Sequence, residues 1–425
     1  MKRVGSLLSR RHFGAIALIA GVAALFAGSS LASGSTQRVA HAAAACGTIP
    51  KQPPVTQPAG LLNSLPASVL ANYNGTPPED VVTKSPWATF KGDPKPWKIG
   101  ISAGFPILNT QMSDSVAEMQ REFSIAKSKG LVTGSLVINF PPSSATTTPA
   151  DQIASIHQMV AQGVKAMLLF PGSAPALAPV ITAEGKKGVV MVPDVQALPE
   201  SPYAIGMVLQ SYIPETQGVI KAMGEKGNVL IVRGIAGVPE DSDAYASFTS
   251  QIKQCPNIHI AGMVVGNYDN AQTKTVVQQW LAAHPQPIAG VFESGEMGPG
   301  VIRAFVAAGR TVPPIALVSS DGAVGGYWLS HPSYNGVASG SNGEQQVYSM
   351  FHVMLRLLNG NELKYNDIIA PAVVITKNNV KQFATPGSTI NSTTELKGPL
   401  DGWMSDSYLN NFFVKPGTPG GNIGL

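Results

Sequence analysis

The chain has 425 residues, of which 44% are hydrophobic and 13% charged, with a formal net charge of +4 at pH 7. That length and apolar share supply two or three domains with real cores and exclude a disordered tail. The positive charge is small and dispersed, which excludes the clustered basic patch that nucleic-acid binding needs.

The N-terminus carries an address. Ser9, Arg10, Arg11, His12 and Phe13 form SRRHF, a twin-arginine signature, and no further Lys or Arg occurs until Arg38. Ala40, His41 and Ala42 then offer a small-x-small cleavage site, so residues 1–42 are expected to be an export signal that is removed. The alternative is an uncleaved anchor, because the uncharged run 14–37 approaches spanning length. Its Gly and Ser content and polar second half lower its hydropathy.

Only Cys46 and Cys255 are present. Outside the cytoplasm a disulfide between them is permitted and would tie the N-terminal region to the body. Two other readings stay open. The run Ala43, Ala44, Ala45, Cys46 loosely resembles a lipobox, which would make Cys46 a lipid anchor, and both thiols free is the third. Residues 43–97 are rich in Pro, Gly, Ser and Asn, with one short helical stretch near 61–73, and read as an arm or linker.

From KIGIS (98–102) the chain alternates apolar strands with helical stretches. AMLLF (166–170), GVVMV (188–192), NVLIV (228–232), IAGVF (288–292) and PIALVS (314–319) are near-continuously apolar, as strands covered on both faces must be. A strand every 25 to 35 residues, roughly, predicts an α/β fold with parallel, doubly wound sheets. The last segment, 385–425, is rich in Thr, Ser and Gly, yet Trp403, Tyr408, Phe412 and Phe413 make it too aromatic to be wholly disordered. It is expected to pack on the surface as an extension.

In open parallel sheets a ligand sits beyond the carboxyl ends of the strands. The polar residues gathered there are Asn109, Ser173, Asp194, Glu293, Ser294 and Asp321. A short carboxylate at a strand end accepts two hydroxyl hydrogen bonds at once, which suits the vicinal diol of a sugar. Candidate stacking platforms for the ring are Phe105, Tyr245, Tyr268 and Trp328. Each has a plainer reading. Asp or Ser after a strand commonly caps the next helix, and Phe105 and Phe170 beside apolar strands suit the core. Tyr268 and Asp269 in GNYDN suit a turn, while Glu240, Asp241 and Asp243 suit a solvated helix start. No CxxC, HExxH, Walker A or GxSxG motif occurs, and the seven histidines are isolated, so neither a cofactor nor a metal is expected. Glu293 and Glu296 are the one carboxylate pair that glycoside hydrolysis would need, and no second motif supports them.

Five blocks in order resemble the periplasmic sugar-binding proteins of ABC importers, the ribose and galactose type, which share their fold with the ligand domains of LacI-like repressors. They are the run 151–181, VVMVPD (189–194), GVFESGEMGPGVIRAFVAAGR (290–310), LVSSDG (317–322) and VVITKNNV (373–380). The resemblance implies a type I binding protein with two Rossmann-like lobes, 98–209 with 341–370 and 210–340 with 371–384. Three chain crossings near 208–211, 338–341 and 370–372 would form the hinge. It further implies a monomer that clamps a sugar, polyol or glycoside by hinge closure and presents it to a membrane permease. A sensory receptor module is the rival function, and the export signal counts against a repressor. Three family positions depart from the ribose pattern. The arginine after Asp194 is replaced by Val195, a second clamping arginine by Ala244, and a glutamine of the late crossing by Gly340. Without two guanidinium forks the pocket reads as acid-rich and donor-poor, which predicts a ligand other than ribose: a larger polyol, a glycoside, or one carrying an amine.

Overall fold

The computed structural model describes residues 46, 57–74, 81–142, 148–194, 198, 200–208, 212–318, 321–340, 342–371, 373–397 and 404–417. All belong to one compact unit, Ala43–Leu425. The export signal expected in 1–42, and Val195 and Trp403, lie outside the described residues, as do parts of the three expected crossings.

The strands are β1 (Ile99–Ala103), β2 (Val137–Asn139), β3 (Ala166–Phe170), β4 (Val190–Pro193), β5 (Gly206–Val208), β6 (Gly227–Arg233), β7 (Ile258–Val265), β8 (Gly290–Glu293), β9 (Ile315–Leu317), β10 (Val337–Ser339), β11 (Asp367–Ile369) and β12 (Val374–Ile375). The helices are α1 (Ala67–Leu70), α2 (Thr110–Ser128), α3 (Pro149–Ala161), α4 (Ala174–Gly185), α5 (Ile213–Ala222), α6 (Pro239–Ile252), α7 (Asn270–Ala283), α8 (Gly298–Ala307), α9 (Gly322–Ser330), α10 (Gly343–Leu358), α11 (Val380–Phe383) and α12 (Asp406–Leu409).

The first lobe is built on the parallel sheet β2-β1-β3-β4. β1, β3 and β4 are buried at every residue, because helices cover both faces. The parallel pair β5-β11 continues this row, with the Ile205 N–H reaching the Met191 carbonyl at 3.4 Å. The second lobe is the six-stranded sheet β12-β10-β9-β8-β6-β7, parallel except for β12. The chain passes between the lobes after β5, between β10 and α10, and between β11 and β12. This is the parallel, doubly wound α/β arrangement that the apolar strands and helical spacers predict, in the two-lobed type I periplasmic binding form that the family resemblance implies.

Expectation and structure part in places. AMLLF is a strand to the residue, but the helical stretch near 61–73 reduces to turns, α1 and one 3₁₀ turn. VVITKNNV contributes only β12, antiparallel to β10, before Asn379 leads into α11. The terminal extension does pack. Phe412 and Phe413 are buried, and the Tyr408 hydroxyl donates to the Ile369 carbonyl at 2.5 Å.

The described segments on either side of the two lobes each touch both of them. Cys46 is disulfide-bonded to Cys255, which follows α6 in the second lobe, and the Cys46 N–H donates to Glu225 Oε2 at 3.0 Å. From residue 57 the arm packs on the first lobe, where the Tyr73 hydroxyl donates to the Asp367 carbonyl at 2.7 Å. At the other end, Gly322 of the second lobe donates its N–H to the Thr394 carbonyl at 2.7 Å. Met404 then donates its N–H to Ser349 Oγ on α10 at 3.0 Å. The disulfide reading of the two cysteines therefore holds, and it occupies the sulfur that a lipid would need.

Candidate functional site

A cavity of about 670 Å³ lies where the carboxyl ends of β1 and β3 face those of β6 and β7. Phe105, Leu108, Gln152 and Ser173 line it from the first lobe, and Val238, Asn267 and Gln272 from the second. It leads to an inner recess of about 30 Å³ bounded by Phe105, Asn109, Gln111, Phe170 and Asp194 on one side. Glu240, Tyr268, Gly295 and Glu296 close the other side. The first cavity alone falls within the roughly 300–1,000 Å³ range of small-molecule sites.

Local sequence explains the first-lobe wall. Gly104 follows β1 with no side chain, and a Cβ there would lie 2.5 Å from the Gly172 nitrogen, so only glycine lets the β1 and β3 loops approach. Gln152 ties the β3 loop down: its Nε2 donates to the Phe170 carbonyl and its Oε1 accepts from the Gly172 N–H, both at 3.1 Å. Asn109 caps α2 by accepting the Met112 N–H at 3.0 Å. Asp194 ends β4, where Gln346 Nε2 donates to its Oδ1. Gln346 in turn accepts from Gln111 Nε2 at 3.2 Å, so two amides from α10 and α2 reach the recess. Burial pushes the Asp194 carboxyl up to about 7.

Opposite, Asp241 holds the end of β6. It takes Arg233 Nε at 2.9 Å, Arg233 Nη2 at 2.5 Å, the Gly234 N–H at 2.7 Å and the Ser294 hydroxyl at 2.8 Å. The Arg233 guanidinium also lies 4.1 Å over the Tyr245 ring. This network consumes the arginine and leaves its neighbour Glu240 facing the recess. Burial, and then the charges of Asp194, Glu296, Glu293 and Asp241, hold the Glu240 carboxyl well above the usual range. Tyr268 is buried at a left-handed backbone position, φ 58°, and its hydroxyl has no hydrogen-bond partner among the described residues.

Of the ten residues expected at the site, the structure gathers Phe105, Asn109, Asp194 and Tyr268 around the recess and Ser173 at the cavity wall. Five others stand elsewhere, for identifiable reasons. Glu293 accepts the N–H groups of Gly295, Met297 and Val318 at 2.9–3.1 Å and so staples β8 to β9. Ser294 belongs to the Asp241 network, and Tyr245 lies beneath Arg233. Asp321 caps α9 through the Ala323 N–H at 2.7 Å. Trp328 is a core residue of the second lobe, its indole N–H donating to the Tyr334 carbonyl at 3.0 Å. Strand ends did not single out Gln111, which lines the recess, Gln346, which holds Asp194 and Gln111, or Glu240 and Glu296 on the opposite side. The first two sit in helix first turns, signalled only by the caps Asn109 and Asn342.

Two α/β lobes with a cavity between their strand ends define a solute-binding architecture. The sequence profile of the periplasmic binding protein domain matches residues 107–362, more than half of the chain, and the chain belongs to that family. The xylitol-binding protein of Mycolicibacterium smegmatis is 26% identical over 250 residues, 56% of this chain and 68% of that protein. The ribose import binding protein of Escherichia coli is 25% identical over 178 residues, 41% of this chain and 59% of that protein. An ABC transporter solute-binding protein from Thermobispora bispora, solved by crystallography, superposes with a TM-score of 0.61 at 26% identity, covering 71% of this chain and 91% of that one.

Proposed function

We propose that this protein is exported by the twin-arginine route and captures a small polyhydroxylated solute between its lobes for delivery to an ABC importer. The observation that carries the reading is the cavity at the facing strand ends, walled by Phe105 and by amides of Gln152, Asn267 and Gln272, with Asp194 in the recess beyond. Aromatic faces and side-chain amides are what ring stacking and hydroxyl recognition require. The relatives named for xylitol and ribose support a polyol or pentose-sized ligand. Glu293, whose oxygens are taken by backbone N–H groups, is not arranged as a second catalytic carboxylate beside Glu296, so we assign binding without turnover. Among the described residues no helix is long and apolar enough to cross a membrane.

A thermal-shift screen of pentoses, hexoses, polyols and glycosides tests this. Ligand at about 100 times its dissociation constant adds roughly 2.7 kcal/mol, an easily measured rise in Tm. The hit should disappear in Asp194→Ala. A screen with no hit in any class, or turnover of any compound, would overturn the reading.

A further inference from the structure

We infer that the solute carries a protonated amine, seated in the inner recess against Asp194, Glu240 and Glu296 with the Tyr268 hydroxyl as its neutral partner. The inference rests on the proposed capture of a small polyhydroxylated solute in the same cleft.

Charge balance makes the first argument. The residues lining the cavity and the recess include Asp194, Glu240, Glu296 and Asp269, and no Lys or Arg among the described ones. The nearest guanidinium, Arg233, is bidentate on Asp241 and stacked on Tyr245, so its charge is spent within the second lobe. One carboxylate is enough to accept the two hydroxyls of a diol, whereas three gathered in one small recess repel one another. A cation entering it relieves that repulsion.

Tyr268 is an independent observation. It is 95% buried (5% exposed), it lines the recess, and its hydroxyl lacks a partner among the described residues. A buried hydroxyl without a partner is costly, and a ligand that fills the recess would remove that cost. Glycine 295 sets the two groups side by side. A Cβ at Gly295 would lie 3.1 Å from Tyr268 Cε1 and 3.2 Å from Glu240 Oε1, so the ring and the carboxylate flank the same point. With Phe105 and Phe170 on the first-lobe side, aromatic faces and carboxylates surround the place where an ammonium would sit.

The carboxyls of the recess are shifted towards their protonated form. Glu240 is faced by Asp194 just after β4, by Glu293 at the end of β8 and Glu296 beyond it, by Asp241 on its own helix, and by Tyr212 and Tyr268. Burial and these neighbours raise its carboxyl and that of Asp194. An ammonium that binds there returns the carboxyls to their charged form, and each proton lost passes to the buffer.

The test is calorimetric titration of the full chain, disulfide intact, with pairs of compounds that differ only by an amine in place of a hydroxyl: glucamine against glucitol, glucosamine against glucose, and an inosamine against myo-inositol. In at least one pair the amine should bind about ten-fold or more tightly, the expected scale for one charge-assisted contact in a desolvated site. Its heat should vary with the ionisation enthalpy of the buffer, reporting proton release, and its advantage should vanish in Glu240→Gln and Asp194→Asn. Far-ultraviolet circular dichroism and the thermal midpoint check that both variants fold. Equal or tighter binding of the neutral member in every pair would overturn the amine while leaving capture of a polyol standing. No binding by either member of any pair would overturn both.

Discussion

Glu215 on α5 is 1% exposed, and neither carboxyl oxygen has a hydrogen-bond partner among the described residues. Burial pushes it up to about 8, so the folded protein keeps a proton that the unfolded chain releases above about 4.5. Because the folded state then binds more protons, stability is greatest below that ordinary value and falls as pH rises towards 8, by about 1.4 kcal/mol per pH unit for one group. Glu215→Gln keeps the shape and removes the titration. Urea unfolding at pH 5, 6.5 and 8 should give the variant a shallower decline than the parent by one proton; parallel declines would exclude Glu215 as the source. Gly295→Ala makes a second test at this scale. At φ 147° an alanine is strained, and its methyl would press on Tyr268 and Glu240. The expected loss is about 1–3 kcal/mol of stability, with weaker ligand binding by titration; unchanged affinity would detach Gly295 from the recess. These residues mark the limit of what chain position reveals. The rule that polar groups at strand ends face the ligand places Asp194 and Asn109 at the recess. It fails for Glu293 and Asp321 because a carboxylate at a strand end is also the nearest acceptor for the N–H groups of the next turn, and for Ser294 because its hydroxyl bridges Asp241 and the Gly234 N–H at the end of β6.

At the scale of elements, the C-terminal segment is held by charge as well as by aromatic burial. Arg356 of α10 is fully buried, and it donates to Asp406 Oδ1 and Asn410 Oδ1, both at 2.7 Å, with the Phe413 ring 5.3 Å away. Ending the chain before Met404 would strip a buried guanidinium of these acceptors. A loss of about 3–5 kcal/mol is expected in chemical unfolding, against a smaller loss in Asp406→Ala, which keeps Asn410 and the rings. An unchanged midpoint for the truncated chain would mean that the segment packs without stabilising. The aromatic content of 404–413 signalled that this stretch docks, while its partner could not be read, since nothing local distinguishes Arg356 from a solvated helical arginine. Strands show the same divide. β3 and β4 lie inside a sheet covered on both sides, so their apolar runs are continuous and visible. β7 carries a similar apolar run, Ile260–Val265, yet it is an edge strand with Ile260, Met263 and Val265 about half exposed, a difference that the sequence does not mark.

For the whole molecule, the proposed hinge closure would have to accommodate more than three crossings. The Cys46–Cys255 bond joins the N-terminal arm to the second lobe while the arm packs on the first. The segment after β12 likewise touches Gly322 in one lobe and Ser349 in the other. Ten residues, 47–56, separate Cys46 from the arm, and a chain of that length spans at most about 33–36 Å. The disulfide therefore limits how far the lobes can part without fixing them together. Ligand binding stabilises the closed form only through its differential affinity, so closure should appear as a smaller radius of gyration in X-ray scattering with ligand than without. Reduction of the disulfide should lower stability by about 2–5 kcal/mol, since it frees a loop spanning 209 residues of sequence separation. It should also enlarge the unliganded particle while the liganded one keeps its size. Weaker ligand binding follows, because a wider open ensemble leaves less of the protein ready to close. If reduction instead abolished the ligand-dependent change in size, the disulfide would be part of the hinge itself rather than a limit on its travel.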